Sequence, residues 1–285
     1  MKQVIIMSKP SRRRFRLRWG WLILLVLLLI GISFHFAARS EIPVLMYHFV
    51  SPVGQLKDNQ LVISDETLDR QLRWLKKWGY RVYSLDEYAD WRLKGMPSHE
   101  KGVVLTFDDG NQDFYDTIFP ILQVHQVPAA SFLVWDNLAN GKMGSMSINQ
   151  ARELLTSSLV TLGVHTIHHK NMVRLSQSEL EEETTEAKRL LENALPVTMK
   201  YFCYPSGYFD ADALAQVKKA GFTLAFTTTF RQLGTRPETS YSIARIKIAE
   251  KDSQPISFWY KVSGYYSVFE KIRRKFISLF RRMHD

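Results

Sequence analysis

Cysteine is almost missing from this chain: Cys203 stands alone, so no intrachain disulfide can form, and burial and hydrogen bonding must hold the fold. Lying in an apolar segment with no histidine beside it in sequence, Cys203 reads as a small core residue, not a nucleophile. Acidic residues are missing before Trp19 and charge of either sign is missing from Trp19 to Ala38. Long repeats and low-complexity tracts are absent too, and Arg231 to Ser240 is the clearest irregular loop.

These absences sort the net charge of +10. Lys2, Lys9, Arg12, Arg13, Arg14, Arg16 and Arg18 lie before Trp19 with no acidic partner. Lys271, Arg273, Arg274, Lys275, Arg281 and Arg282, against Glu270 and Asp285, make the far end basic as well. The long middle is therefore near neutral, which excludes the basic footprint of a nucleic-acid binder. A positive flank followed by about twenty uncharged residues predicts a membrane-spanning signal anchor over 19–38, with residues 1–18 as a cytoplasmic tail and the rest outside the cytoplasm. A cleaved signal peptide competes, because Phe36 Ala37 Ala38 Arg39 Ser40 offers small residues near a cut. At the other end, Phe269, Ile272, Phe276, Leu279, Phe280 and Met283 recur at three and four, so 268–285 predicts a helix with one apolar and one basic face. It either lies on an anionic membrane or docks a partner, or else packs on the domain with its charges solvated.

Chemistry is concentrated in two short segments. The apolar run Val103 Val104 Leu105 Thr106 Phe107 ends in Asp108 Asp109 Gly110, as a buried strand ends at a loop. Two carboxylates so close cannot both ionise cheaply without a neighbouring cation. Downstream, Leu159 to Val164 reads as another strand and ends in His165 Thr166 Ile167 His168 His169. One aspartate and two neutral imidazoles supply three ligands to a divalent ion and leave positions open for water and substrate. The second aspartate is then free to take a proton from a water whose pKa the ion lowers. Taken singly, Asp-Asp-Gly is a turn and a histidine pair is a polar loop. Both follow strand ends, where α/β sheets and barrels build their sites.

Thr106 Phe107 Asp108 Asp109 Gly110, His165 Thr166 Ile167 His168 His169, and Phe202 Cys203 Tyr204 Pro205 Ser206 Gly207 resemble, in that order, three motifs of the polysaccharide deacetylase family, the NodB-homology carbohydrate esterases. The resemblance covers roughly 42–249. It implies Asp109, His165 and His169 as ligands of a divalent ion, zinc or else cobalt or nickel, with His168 as the rival ligand. It further implies Asp108 as general base and the backbone N–H of Tyr204 as oxyanion donor. Relatives carry a late Leu-x-His histidine as general acid. After Arg245 Ile246 Lys247 Ile248 this chain has only His284, in the basic tail, whereas Ile42 to Tyr47 reads as a strand ending in His48. That looks like the circularly permuted poly-β-1,6-N-acetylglucosamine deacetylase branch, and it makes His48 the general acid. Its competing reading is a hydrogen-bonded core histidine.

Arg245 either orients the base carboxylate bidentately or sits on the surface of an edge strand. Tyr204, Pro205, Tyr208 and Phe209 are candidates for the glycan-binding surface, although such aromatics also fill cores. The implied activity is metal-dependent N-deacetylation of an extracytoplasmic N-acetylated polysaccharide, poly-N-acetylglucosamine first, with synthesis or export machinery as a partner. Peptidoglycan or chitooligosaccharide is the alternative substrate, and an inactive glycan-binding relative is the alternative class.

Apolar runs at 43–48, 102–107, 129–134, 159–164, 199–204, 222–227 and 243–248 alternate with helical patterns, which predicts an α/β fold, a distorted (β/α) barrel of about seven strands over 39–267. Helix starts show as Ser84 with Glu87, Ser147 with Gln150 and Ser176 with Glu179, and helix ends as Gly79 and Gly221. Leu68, Leu72, Leu75 and Trp78 form one core stripe, and Leu180, Ala187, Leu190 and Leu191 another.

Overall fold

The apolar runs become parallel strands because they are buried on both faces, one against helices and one inside a barrel. The computed structural model describes residues 12–52, 61–95, 101–228, 230, 232 and 238–283. Its strands are β1 (Val44–Tyr47), β2 (Phe49–Ser51), β3 (Val62–Ser64), β4 (Arg81–Tyr83), β5 (Gly102–Phe107), β6 (Ala129–Leu133), β7 (Val160–Val164), β8 (Tyr201–Cys203), β9 (Leu224–Thr227), β10 (Ile243–Ala244) and β11 (Ile246–Lys247). The main sheet runs β10-β9-β8-β7-β6-β5-β1-β11, with β4 added on β5, and β2 pairs with β3 separately.

The expected strand at 243–248 is in fact two. Ile243 and Ala244 pair with Phe226 and Thr227 on one edge of the sheet, while Ile246 and Lys247 pair with Leu45 and Met46 on the other. One stretch of chain thus bridges both edges and nearly closes the barrel, and Arg245 is the residue at the crossing. β2, β3 and β4 went unread in the sequence; each is three residues long, too short for alternation to register.

Alternation sorts the core into two layers. Val103, Leu105 and Phe107 of β5, with Val160, Leu162 and Val164 of β7, belong to the outer layer packed under the helices. Val44, Val104, Ala130, Phe132, Cys203 and Phe226 fill the interior. Gly163 is needed there, because a Cβ would lie 2.6 Å from the Phe132 ring. The expected helix signals are all present. The hydroxyls of Ser84, Ser147 and Ser176 each accept the N3 N–H, and their backbone N–H groups donate to the N3 carboxylate or amide oxygen, and Gly79 and Gly221 take φ of +71° and +73°. Leu68, Leu72 and Leu75 are buried, with Trp78 packed on them.

The N-terminal segment forms one helix, Arg12–Arg39, and the C-terminal segment another, Tyr265–Arg282, three residues longer at its start than its sequence pattern predicts. They meet where His35 Nδ1 lies 2.7 Å from the Tyr265 hydroxyl and where the left-handed Gly264 passes so close to the Ala38 carbonyl that no side chain would fit. Beyond this contact the apolar faces are bare: Leu24 to Ile30 on one helix, and Phe269, Ile272, Phe276, Leu279 and Met283 on the other. Packing against the domain therefore accounts for the first two turns of the C-terminal helix, as far as Lys271 on Glu41, and not for its length. Among the described residues no helix is long and apolar enough to cross a membrane, so the expected anchor gains no support here. Its basic tail before Arg12, and the side chains of residues 12–20, 22 and 23, lie outside the described residues, as do His284 and positions 231 and 233–237 of the expected irregular loop.

Candidate active site

Period-two alternation carries the interior face one step past the end of each strand. Val44 and Met46 are followed by His48, Val104 and Thr106 by Asp108, and Gly163 by His165, all at the carboxyl-end rim. Arg245 joins them from the crossing between β10 and β11.

Asp108 is fully enclosed and paired. Arg245 Nη1 and Nη2 donate to its two carboxylate oxygens at 2.6 and 2.7 Å, and Arg245 Nη1 also donates to Thr106 Oγ1 at 3.0 Å. The arginine is itself 1% exposed, so the edge-strand alternative fails. Burial pushes the Asp108 carboxyl upward, but the Arg245 charge and its two hydrogen bonds outweigh burial and hold it well below the usual carboxylate range. His48 Nε2 lies 3.7 Å from Asp108 Oδ2. Cys203 Sγ, 3.0 Å from Arg245 Nη2, has its thiol pushed up by burial, consistent with an inert core residue.

Asp109 behaves differently. A φ of +73° turns it out of the strand line, and its Oδ1 lies 3.7 Å from His165 Nε2 and 3.6 Å from His169 Nε2. These ligand atoms converge on one point, at separations that suit bonds of about 2 Å to one divalent ion. His165 Nδ1 is 2.7 Å from the Cys203 carbonyl, which fixes the tautomer with Nε2 unprotonated and facing Asp109. Burial pushes the His165 pKa down to about 4, so the ring is neutral and ligand-competent at neutral pH. Among the described residues no Lys or Arg pairs with Asp109, so the donor set fits a cation. His168, the rival ligand, points away: its Nδ1 is tied to Glu183 Oε1 at 2.7 Å.

Two expectations for the third motif need correction. The Tyr204 N–H cannot serve as oxyanion donor as it stands, because it donates to the Phe226 carbonyl at 3.0 Å and continues the β8–β9 ladder. Tyr204 is also no glycan platform. Its ring is buried, stacked on Phe209 at 4.7 Å, with its hydroxyl bonded to the Tyr241 carbonyl. Phe209 and Pro205 are buried as well, which leaves Tyr208, 45% exposed, as the accessible ring. A cleft of about 690 Å³ runs from Asp109 and His169 past Asn111, Asp136, Asn137 and Lys142.

Sequence reading missed two further features. Ser206 adopts φ +54°. In the segment 204–208, Pro205 has no N–H and those of Tyr204, Gly207 and Tyr208 are taken, so Ser206 keeps the N–H without an acceptor among the described residues. Glu183 is a buried carboxylate aimed at the histidine loop. It sits within Glu181 Glu182 Glu183, which in sequence looks like any solvated helix face.

A family model described as polysaccharide deacetylase matches residues 95–225. The poly-beta-1,6-N-acetyl-D-glucosamine N-deacetylase of Staphylococcus aureus is 22% identical over 232 residues, covering 78% of this chain and 79% of that one. Among solved structures, IcaB from Ammonifex degensii superposes with a TM-score of 0.67 at 25% identity, covering 78% of this chain and 97% of that one. The Streptococcus pyogenes deacetylase PplD in complex with acetate gives 0.69 at 24%, over 78% and 97%.

Proposed function

We propose, from the premise that this chain belongs to the polysaccharide deacetylase family, that it hydrolyses acetamido groups on a poly-N-acetylglucosamine-type polysaccharide with a divalent ion held by Asp109, His165 and His169. The observation that carries this reading is the division of the aspartate pair. Asp108 is completed by Arg245, whereas Asp109 faces two imidazoles. Zinc is the first expectation, and cobalt or nickel suit the same donors. When bound, the ion would supply Lewis-acid polarisation and make a water acidic enough to attack at neutral pH.

The chain's own residues divide the remaining work. Asp108, ionised and aligned by Arg245, takes the proton from the attacking water. The N–H of Ser206 takes the oxyanion role expected of Tyr204, supported by its lack of an acceptor among the described residues; one such donor contributes about 3 kcal/mol to the barrier. His48, beside Asp108 at the rim, protonates the leaving sugar amine. Tyr208 offers an accessible ring for a sugar face.

The test is acetate release from N-acetylglucosamine oligomers by the full chain with added Zn²⁺ or Co²⁺, abolished in Asp108→Asn. Absence of acetate from any acetylated glycan, with metal bound, overturns hydrolysis in favour of a glycan-binding relative.

We further propose an extracytoplasmic domain held at a membrane by the uncharged stretch 19–38. The ground for it is the sequence, a run without Asp, Glu, Lys or Arg behind a basic flank. Polymer would then arrive from synthesis or export machinery in the same envelope. The bare apolar face of Tyr265–Arg282, flanked by Arg273 and Lys275, supports a second contact with anionic lipid. Truncation after Ser267 should weaken co-flotation with anionic vesicles and leave it unchanged with neutral ones. Equal flotation with both excludes the second contact, and failure of the full chain to float excludes the anchor.

A further inference from the structure

We infer that Glu183 is a positioning residue that builds the metal-binding loop, a role that rests on Asp109, His165 and His169 holding the ion. The loop joins two ligands through residues that would otherwise be free to move. His165 ends β7, and His169 lies four residues on with φ +59°, after Thr166 at +69°. Left-handed backbone at non-glycine residues persists when its surroundings hold it there. Most of those surroundings are visible in the backbone: the Leu133 carbonyl accepts from His165 N–H, and the Thr166 and Ile167 carbonyls accept from the Trp135 and Asp136 N–H groups. The turn is closed locally by the His169 N–H donating to Thr166 Oγ1 at 2.9 Å, and its middle is held by Glu183, whose Oε2 accepts from the N–H groups of both Ile167 and His168 at 3.0 Å while Oε1 takes the His168 ring at 2.7 Å.

Glu183 reaches the loop from an unusual place. The helix after the loop widens at Glu182–Glu186 into a π-turn between Gln177–Glu181 and Ala187–Ala194. Such turns are rare and recur at functional sites. Glu181 and Glu182 stay exposed, while Glu183 and Thr184 are fully buried. Burial by itself would push the Glu183 carboxyl up, but the His168 backbone and ring bonds outweigh it, so the carboxyl is lowered and stays charged. A buried charge is costly unless hydrogen-bonded. Here its bonds go to residues 167 and 168, between the two ligands. This also gives His168 a place: its ring is a prop against Glu183, with Lys170 Nζ 3.5 Å from the same Oε1.

The test titrates the full chain with Co²⁺, which needs no glycan. Glu183→Gln keeps the shape but replaces one acceptor oxygen by an amide NH₂, and it should weaken Co²⁺ affinity 10- to 100-fold, as loss of supporting hydrogen bonds around metal ligands does. The visible Co²⁺ bands should shift, and at saturating metal kcat should fall with KM little changed. Glu183→Asp keeps the charge and should recover part of the affinity. Where Glu183→Gln does not fold, Glu183→Asp and the exposed His168→Ala carry the test, each expected to weaken metal binding severalfold in a metal-free chain that still unfolds cooperatively. Folded variants with wild-type Co²⁺ affinity and spectrum overturn the inference and leave the proposed function standing. A wild-type chain that binds no Co²⁺ overturns the metal reading itself.

Discussion

Asp108 and Asp109 are neighbours in sequence and opposites in surroundings. Asp108 lies at a point where four segments have already met: β1 brings His48, β5 brings Thr106, β8 brings Cys203 and the crossing between β10 and β11 brings Arg245, which neutralises it. Asp109 lies one residue on, partly exposed, and faces two imidazoles with no Lys or Arg beside it among the described residues. The difference comes from one backbone angle. Asp108 continues the interior face of β5, and the left-handed turn at Asp109 throws its side chain over the rim. One half of the site is completed by the protein, and the other is the half that the proposed function fills with an ion.

The sharpest way to break that comparison is to neutralise each aspartate in turn. Asp108→Asn should cut kcat by about 10³-fold or more, since general base catalysis contributes roughly 10²–10⁴, while Co²⁺ affinity stays within a few fold of wild type. Asp109→Asn should lose both activity and Co²⁺ binding. Isothermal titration with Co²⁺ on both variants checks the pair. Loss of metal binding in Asp108→Asn would merge the two halves into one.

Next in size is the acid. His48→Gln removes the proposed proton donor from the protein-completed half and should lower kcat by about 10² with an amide substrate. An activated ester, whose leaving group needs no proton, should be hydrolysed at nearly the wild-type rate. Equal losses on both substrates would remove His48 from the acid role.

The aligning arginine should matter less to rate and more to stability. Arg245→Lys keeps the charge but cannot make the bidentate contact, and Arg245 is enclosed together with its partner. Breaking such buried pairs costs about 3–5 kcal/mol, less where charge is kept. The expected outcome is a fall of several degrees in Tm and roughly tenfold in kcat, with Co²⁺ affinity retained. Unchanged Tm would contradict the buried pairing.

Much of this division was legible before any coordinates. The two motifs announced themselves at strand ends, and alternation along β1, β5 and β7 points His48, Asp108 and His165 to one interior. The capping boxes at Ser84, Ser147 and Ser176 needed no tertiary information, because they are local hydrogen bonds between residues three apart. What stayed hidden depends on contacts between distant segments. That Arg245 sits where one strand splits between two sheet edges is a fact of barrel closure. That the Tyr204 N–H is consumed depends on its pairing with Phe226. Glu183 is buried by a π-turn, and nothing in Glu181 Glu182 Glu183 says which carboxylate turns inward.

The smallest effect comes from a third acid, and it reads the charge on Asp109 without touching it. Burial pushes Asp113 up to about 6, the N–H donors of Val50 and Phe114 pull it back, and the Asp109 charge adds to the rise. Its Oδ2 takes the Val50 N–H at 2.6 Å, while Oδ1 has no partner among the described residues. An unfolded aspartate titrates near 3.9, so between about pH 4 and 6 the folded state binds more protons than the unfolded one. Stability therefore falls as pH rises through that window and stays reduced above it. Asp113→Asn, neutral throughout, should match wild type near pH 4 and exceed it by up to about 3 kcal/mol at pH 7.5 in the metal-free chain, measured by urea denaturation. Zn²⁺ offsets the Asp109 charge, so the two-variant gap should narrow when the metal is added. A gap that is the same with and without Zn²⁺ would mean that the ion does not sit beside Asp109, and the division between the two halves of the site would have to be redrawn.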